Sequence, residues 1–324
     1  MNLYFWNIRG LNKSSKQHLV KLFIAQYHLS FIALLETKIS DRRMPIIAKR
    51  IAKDWNCITN TGYASKIRIM ILWDPNVLDI NFENFSAQQI TCTVKSLDGS
   101  FNSVISTIYG LNHIEGRKDL WNELRIIQNS IGNSPWLLCG DFNSIISNDE
   151  KLGGSLLTEA DFKDFNDFIQ DSMLNHLKTI GCFYTWNNKQ DDISRIWCSL
   201  DRALVNDSWI HNFNSSQVEF LLPSFSDHSP ALVSILEDRI QGKRPFKYFN
   251  MWAKHDKFLT AVSSIWQSYI PGCKMYSVHT KFKNLKGVLK DMNKRHFHNI
   301  SEQVLRANQN LEEAQHNLQA NPLC

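Results

Sequence analysis

From residue 1 to 238 the chain is cut into short apolar, β-rich runs, at 3–8, 30–35, 67–73, 89–97, 101–109, 136–139, 195–204, 218–222 and 229–236. Segments of this length cross a globular core once and stop, so the chain must build sheets. Asp98-Gly99, between two of the runs, is a hairpin signal. None is long enough to span a bilayer. With 324 residues, 43% hydrophobic and 21% charged, there is material for one large domain plus an appendage, or for two modest domains. The seven cysteines are scattered and never spaced as CxxC. That points to reduced thiols inside a cell, and away from a disulfide framework or a zinc knuckle. Met1-Asn2-Leu3-Tyr4 begins without a basic leader, so a secreted protein is not expected.

Helical patterns lie between the strands. Ser14 or Ser15 can cap a helix carrying Leu19, Leu22 and Phe23; residues 114–131 space Leu120, Trp121, Leu124 and Ile127 helically; Thr158 and Asp161 read as a capping box before Phe162, Phe165, Phe168 and Ile169. Strands mixed with a few helices suggest an α+β or layered α/β/β/α arrangement. After Arg239 the texture changes. Residues 241–245 read as a linker into a helical, basic tail, and residues 239–324 hold 14 Lys/Arg against 5 Asp/Glu. The first 238 residues hold 22 against 26, so the net +5 conceals an acidic body and a basic tail. Ile300, Val304, Ala307, Leu311, Ala314 and Leu318 form a stripe suited to a packed amphipathic helix. Residues 281–295 interleave Phe282, Leu285, Val288 and Leu289 with basic residues, a face fit for nucleic acid or a neighbouring protein domain.

The functional candidates are polar residues at the mouths of the apolar runs. In Trp136-Leu137-Leu138-Cys139-Gly140-Asp141-Phe142-Asn143 a buried strand runs into a carboxylate and an amide two residues apart, hence on one side of the chain. Such a pair can orient water and share a metal's field; an Asp/Asn turn looks the same. Asp227-His228 offers a metal ligand beside a proton donor or phosphate partner, against the plainer reading of a loop histidine and a solvated acid. Glu36 follows Leu34-Leu35, and Asn7 ends the first run. Asp201 falls inside 195–204, where an unpaired charge is costly. Each has a structural explanation: Glu36 as a helix cap, Asn7 in a turn, Asp201 paired with Arg202 or Arg195. Five coincidences of one kind weigh more than any single one.

Taken in order, WNIRG, LLETK, IYGLN, GDFN, LDR and SDHSP resemble the motif series of the endonuclease/exonuclease/phosphatase superfamily, the group of DNase I and the exonuclease-III-type abasic endonucleases, over roughly residues 1–236. Within it the chain is most similar to the endonuclease of plant LINE-type retrotransposons, on NIRGLN, DEKLGG at 149–154, GCFYTWNN at 181–188 and LDRALVN at 200–206. The resemblance implies a DNase-I-like four-layer α/β/β/α sandwich over 1–238 and a helical basic extension over 239–324. It implies Mg²⁺-dependent nicking of DNA, with Mn²⁺ as a possible substitute, leaving a 3′-hydroxyl able to prime reverse transcription. Glu36 would be the principal metal ligand, with Asn7 nearby and Asp227 supporting the metal site or the base. Asp141 would handle the proton of water or leaving group, positioned by Asn143. His228, steered by Asp201, would face the scissile phosphate, and Tyr109 and Asn112 would touch phosphate oxygens. One firm carboxylate suits Mg²⁺, and an Asp201–His228 pair would keep the imidazole cationic beside an anion.

Arg9 stands where some members carry an acid, which argues against a second acidic ligand there and for a phosphate contact. Ser199 replaces a frequent Arg or Lys before Leu-Asp. Arg42, Arg43, Lys49, Arg50 and Lys53 can track a DNA backbone, though a solvated helix face explains them as well. Trp186 can probe a DNA groove or pack on the sheet. No Tyr-x-Asp-Asp polymerase signature is present, so any reverse transcriptase would lie beyond Cys324. Two rival readings are a lipid or inositol phosphate phosphatase of the same superfamily, and an element-derived relic acting as a binding scaffold. The expected partner is DNA, with no membrane, in the nucleus by resemblance; the oligomeric state is not read.

Overall fold

The alternation inside single strands sets the architecture. A computed structural model describes residues 1–62, 66–191, 194–235, 252, 253 and 255–296. In chain order come β1 (Asn2–Asn7), α1 (Ser14–Gln26), β2 (Phe31–Ile39), α2 (Met44–Ile51), β3 (Asn56–Thr59), β4 (Ile67–Trp73), β5 (Leu78–Phe85), β6 (Gln89–Ser96), β7 (Asn102–Tyr109), α3 (Ile114–Ile131) and β8 (Trp136–Asp141). A 3₁₀ turn (Asn148–Glu150) comes next, then β9 (Lys151–Leu152), α4 (Glu159–Asp171), β10 (Asn175–His176), β11 (Thr179–Gly181), β12 (Trp186–Asn187), β13 (Trp197–Cys198), β14 (Asp201–Val205), α5 (Asp207–Asn212), β15 (Gln217–Phe220) and β16 (Ala231–Ser234).

Among the described residues these strands form a seven-stranded sheet ordered β11-β15-β16-β1-β2-β4-β3, a six-stranded sheet ordered β10-β14-β8-β7-β6-β5, and a small β12-β13-β9 sheet. Leu3 and Phe5 of β1 and Ala33 and Leu35 of β2 meet Leu137 and Cys139 of β8 and Ala203 and Val205 of β14 between the two large sheets. The alternate residues Tyr4, Trp6, Ile32 and Leu34 face outward, under Val20 of α1 and Ile47 and Ile51 of α2. On the other side Trp136, Leu138 and Leu204 lie under Leu120, Trp121 and Leu124 of α3 and Phe165 and Phe168 of α4. A period of two thus puts apolar side chains on both faces of each central strand, and helices cover the outer faces. The result is the expected α+β four-layer α/β/β/α sandwich.

Several sequence expectations need local correction. The first helix is preceded by Lys13, which makes no side-chain cap, rather than capped by Ser14 or Ser15. The run 195–204 is two strands, β13 and β14, because Ser199 and Leu200 turn away to bond Phe183 O and Thr185 Oγ1. β3 and β5 lie outside the expected runs: β3 carries little apolar periodicity, whereas in β5 Leu78, Ile80 and Phe82 do alternate with Asp79, Asn81 and Glu83. The capping box of Thr158 and Asp161 and the hairpin at Asp98-Gly99 are present.

The chain divides into two compact units, Met1–Asp238 and Arg239–Cys324. In the second, α6 (Phe258–Gln267) and α7 (Lys274–His296) are amphipathic helices, with Trp252, Leu289 and Met292 buried together and Phe258 and Leu285 beside them. Residues 241–245 and 300–318, expected as linker and apolar stripe, lie outside the described residues. Among the described residues no helix is long and apolar enough to cross a membrane.

Candidate active site

Strand ends from both large sheets converge here. Antiparallel pairing of β14 with β8 sets Asp201 opposite Asp141, and parallel pairing of β7 with β8 sets Tyr109 beside Asp141. The close approach requires Gly140: a Cβ there would lie 2.2 Å from Ile108 O, and its φ of +141° disfavours any side chain. From the other sheet come Asn7 at the end of β1 and His228 in the turn before β16. Ser226 Oγ fixes that turn by donating to Asn7 O at 2.6 Å, and Trp6 Nε1 donates to His228 O at 3.0 Å.

The side chains form one continuous network. His228 Nδ1 pairs with Asp201 Oδ2 at 2.9 Å, and Nε2 lies 3.8 Å from Asp141 Oδ2. Asn7 Nδ2 donates to the same Oδ2 at 2.8 Å. Asn143 donates its backbone N–H to Asp141 Oδ1 at 2.9 Å and its amide to Gly110 O at 2.7 Å. Thr185 Oγ1 accepts from the Asp201 backbone N–H at 2.9 Å, steadying the acid that holds the imidazole. Asp227 accepts from Arg9 Nη1 and, at 3.0 Å, from Trp186 Nε1. Glu36 faces Arg9 and Lys38. Arg9, Glu36, Lys38 and Asn143 all adopt positive φ, between 45° and 54°. Such strain in residues other than glycine gathers at functional sites.

Electrostatics follow from burial: Asp141, Asp201 and His228 are 1%, 4% and 4% exposed. Burial alone would lower the His228 imidazole, but the Asp201 and Asp141 carboxylates outweigh it and lift the group to about 9. Burial raises the Asp141 carboxyl, with Asp201 adding to the rise and His228 and Asn7 opposing it. For Asp227 burial again pushes up, yet the Arg9 hydrogen bond and the nearby charges win and hold the carboxyl low. Burial, then Glu36 and Asp141, raise the Tyr109 hydroxyl, which stays a donor.

Asp141, Asp201 and His228 lie close enough together to chelate an ion. A cationic imidazole has no free lone pair for a metal, however, and hydrogen bonding to Asp201 favours that cation. The oxygen set of Glu36, Asp227 and the Asn7 carbonyl suits a hard divalent ion better, and two positive side chains are already drawn to its carboxylates. Asn7 spends its amide on Asp141, and its carbonyl oxygen meets the Arg9 N–H at 3.2 Å.

Of the sequence candidates, Asn7, Arg9, Glu36, Asp141, Asn143, Trp186, Asp201, Asp227 and His228 join this network. Tyr109 and Asn112 line a 370 Å³ cleft that also takes in Glu36, Lys38, Lys66, Arg68 and His113. Lys38, Lys66, Arg68 and His113 were not singled out from sequence; β4 reads there as an apolar strand, and only the fold brings its basic flank beside Glu36. Trp186 is half-buried and donates its indole N–H to Asp227. Asp201 pairs with His228, whereas Arg202 forms a two-pronged buried pair with Glu150.

Paired sheets flanked by helices, with an acid–imidazole–amide cluster at their strand ends, define a hydrolytic class of α/β/β/α proteins. The chain belongs to the endonuclease/exonuclease/phosphatase family, whose profile matches residues 4–228. None of the curated proteins compared with it matches. Among solved structures it is similar to the endonuclease domain of TRAS1, a telomere-specific non-LTR retrotransposon (11% identity, TM-score 0.57, covering 74% of this chain and 99% of that one). An AP endonuclease from Archaeoglobus fulgidus (14%, 0.52, 72% and 99%) and a Bacteroides thetaiotaomicron mannosyl-6-phosphatase (14%, 0.53, 73% and 99%) share the fold.

Proposed function

We propose that the chain is a divalent-metal-dependent endonuclease that nicks one strand of DNA, of the kind carried by LINE-type retrotransposons, acting in the nucleus. The observation that carries the hydrolytic reading is the Asp141–His228–Asp201 cluster with its two amides. Asp141, raised by burial, is suited to take a proton from water at near-neutral pH. Asn7 and Asn143 fix its carboxylate. His228, held cationic by Asp201, faces the phosphate and offsets the charge that builds as the water oxygen bonds phosphorus. The P–O3′ bond then breaks, O3′ takes up the proton that Asp141 received from the water, and a 3′-hydroxyl leaves. A bound Mg²⁺ or Mn²⁺, held by Glu36 with Asn7 and Asp227, would supply further positive charge to the phosphate oxygens.

The cleft beside Glu36 favours a polymeric substrate over a small phosphate ester. Lys38, Lys66 and Arg68 give it a row of cations, and Asn112 and Tyr109 add donors, which suits a backbone continuing past the scissile phosphate. The basic helix α7 would add contacts to nucleic acid or to a neighbouring domain. Relaxation of supercoiled plasmid, with Mg²⁺ or Mn²⁺ and with EDTA, tests the reading. Nicking that EDTA stops, and that Asp141→Ala or His228→Ala lowers about 10²–10⁴-fold (the range for a lost general base or charge stabiliser), is the expected result. Folded protein that leaves plasmid intact, or that prefers an inositol or sugar phosphate, overturns it.

A further inference from the structure

Arg9 sits just beyond β1, and its guanidinium spans the two acids proposed to take the metal. Nε lies 3.5 Å from Glu36 Oε2, and Nη1 donates to Asp227 Oδ2. The second oxygen of Glu36 meets Lys38 Nζ at 2.6 Å. Both acids are therefore already matched to positive side chains of this protein. The exposures differ in a telling way. The Arg9 side chain is 48% exposed, against 16% for Glu36 and 8% for Asp227. The carboxylates are held in place, Asp227 also by Trp186, while the guanidinium has open solvent to swing into.

We propose that Arg9 is an exchangeable counter-ion: it neutralises Glu36 and Asp227 in the metal-free protein, yields to a divalent ion, and then turns its guanidinium to a phosphate oxygen of the substrate. The inference rests on the metal-dependent reading above. Two largely buried carboxylates within reach of one guanidinium are costly without a cation. A guanidinium stays charged at every accessible pH, so the site is stable empty. The same charge opposes an incoming ion, since the ion must displace it or sit beside it. Once displaced, its planar fork fits phosphate oxygens. Arg9 thereby lowers metal affinity in the resting protein and links metal occupancy to substrate.

Mn²⁺ binding to the full chain without DNA, followed by electron paramagnetic resonance of the free ion, tests this directly. Arg9→Ala removes the competing charge; Arg9→Gln removes it while keeping a donor for Asp227, so at least one variant should fold. Each is expected to bind Mn²⁺ roughly tenfold tighter than wild type. That factor corresponds to about 1.4 kcal/mol, somewhat above the roughly 1 kcal/mol of a single exposed ion pair, because one guanidinium is shared by two largely buried acids. Adding a short phosphodiester oligonucleotide should tighten Mn²⁺ binding in wild type and do so less in the variants. Equal or weaker Mn²⁺ binding by both folded variants overturns the exchange while leaving metal-dependent nicking intact. Absence of Mn²⁺ binding by wild type and both variants, with plasmid uncut, overturns the metal reading and this proposal together.

Discussion

At residue scale, the imidazole of His228 is the group whose charge most shapes the site. Its ordinary value of 6.5 is lifted to about 9 by two carboxylates that overcome its burial. A raised value means that the stability gained from the charged pair is complete below pH 6.5 and is lost as pH rises through about 9. Urea unfolding between those limits should show wild type losing on the order of 3 kcal/mol that His228→Asn does not lose. A flat wild-type profile would mean that the imidazole is neutral. The neighbouring pair shows what a linear chain conceals. Asp201-Arg202 reads as a possible ion pair between neighbours, but successive residues of a strand point to opposite sides. Asp201 therefore reaches His228 and Arg202 reaches Glu150, leaving Arg195 out of both. The acids and amides were legible because each stands at an edge of, or within, an apolar run. The basic wall of the cleft was not, since Lys66 and Arg68 acquire meaning only from the strand laid beside them.

At the scale of elements, α3 and α4 fasten the outer layer through an aromatic stack. Trp121 lies 4.9 Å from Phe165 and 5.0 Å from Phe168, with ring planes within 24°. These residues were readable from helical spacing, because a covered face needs apolar side chains three and four positions apart. Trp121→Ala should cost about 3–5 kcal/mol, the usual penalty for emptying a buried aromatic site, and shift the urea midpoint without moving any of the polar network. β3 illustrates the opposite case. It is an edge strand of four residues, Asn56-Cys57-Ile58-Thr59, none of them fully buried, and no alternation of apolar residues marks it. Pairing with β4, rather than burial, makes it a strand.

At the scale of the molecule, the charge divides with the chain: the acidic body carries the strand-end cluster and the tail carries the surplus of Lys and Arg. Residues 1–238 alone are expected to nick plasmid. Their DNA affinity should be weaker and less salt-dependent than that of the full chain, with the slope of log K against log salt smaller by about 0.9 for each phosphate that the tail would have neutralised. Filter binding across a salt series measures it. Equal slopes would place the tail's partner among proteins.

The buried cluster of acids, amide and imidazole is divided between the two sheets. Asp141 and Asp201 belong to one, while Asn7 and His228 come from strand ends of the other. A gap of a single ångström opened between the layers would lengthen the 2.8 Å and 2.9 Å bonds that join them. Chemistry of this kind works as a gauge of interlayer spacing, so pressure or dilute urea that merely loosens the stack should silence it while every helix and strand is still intact.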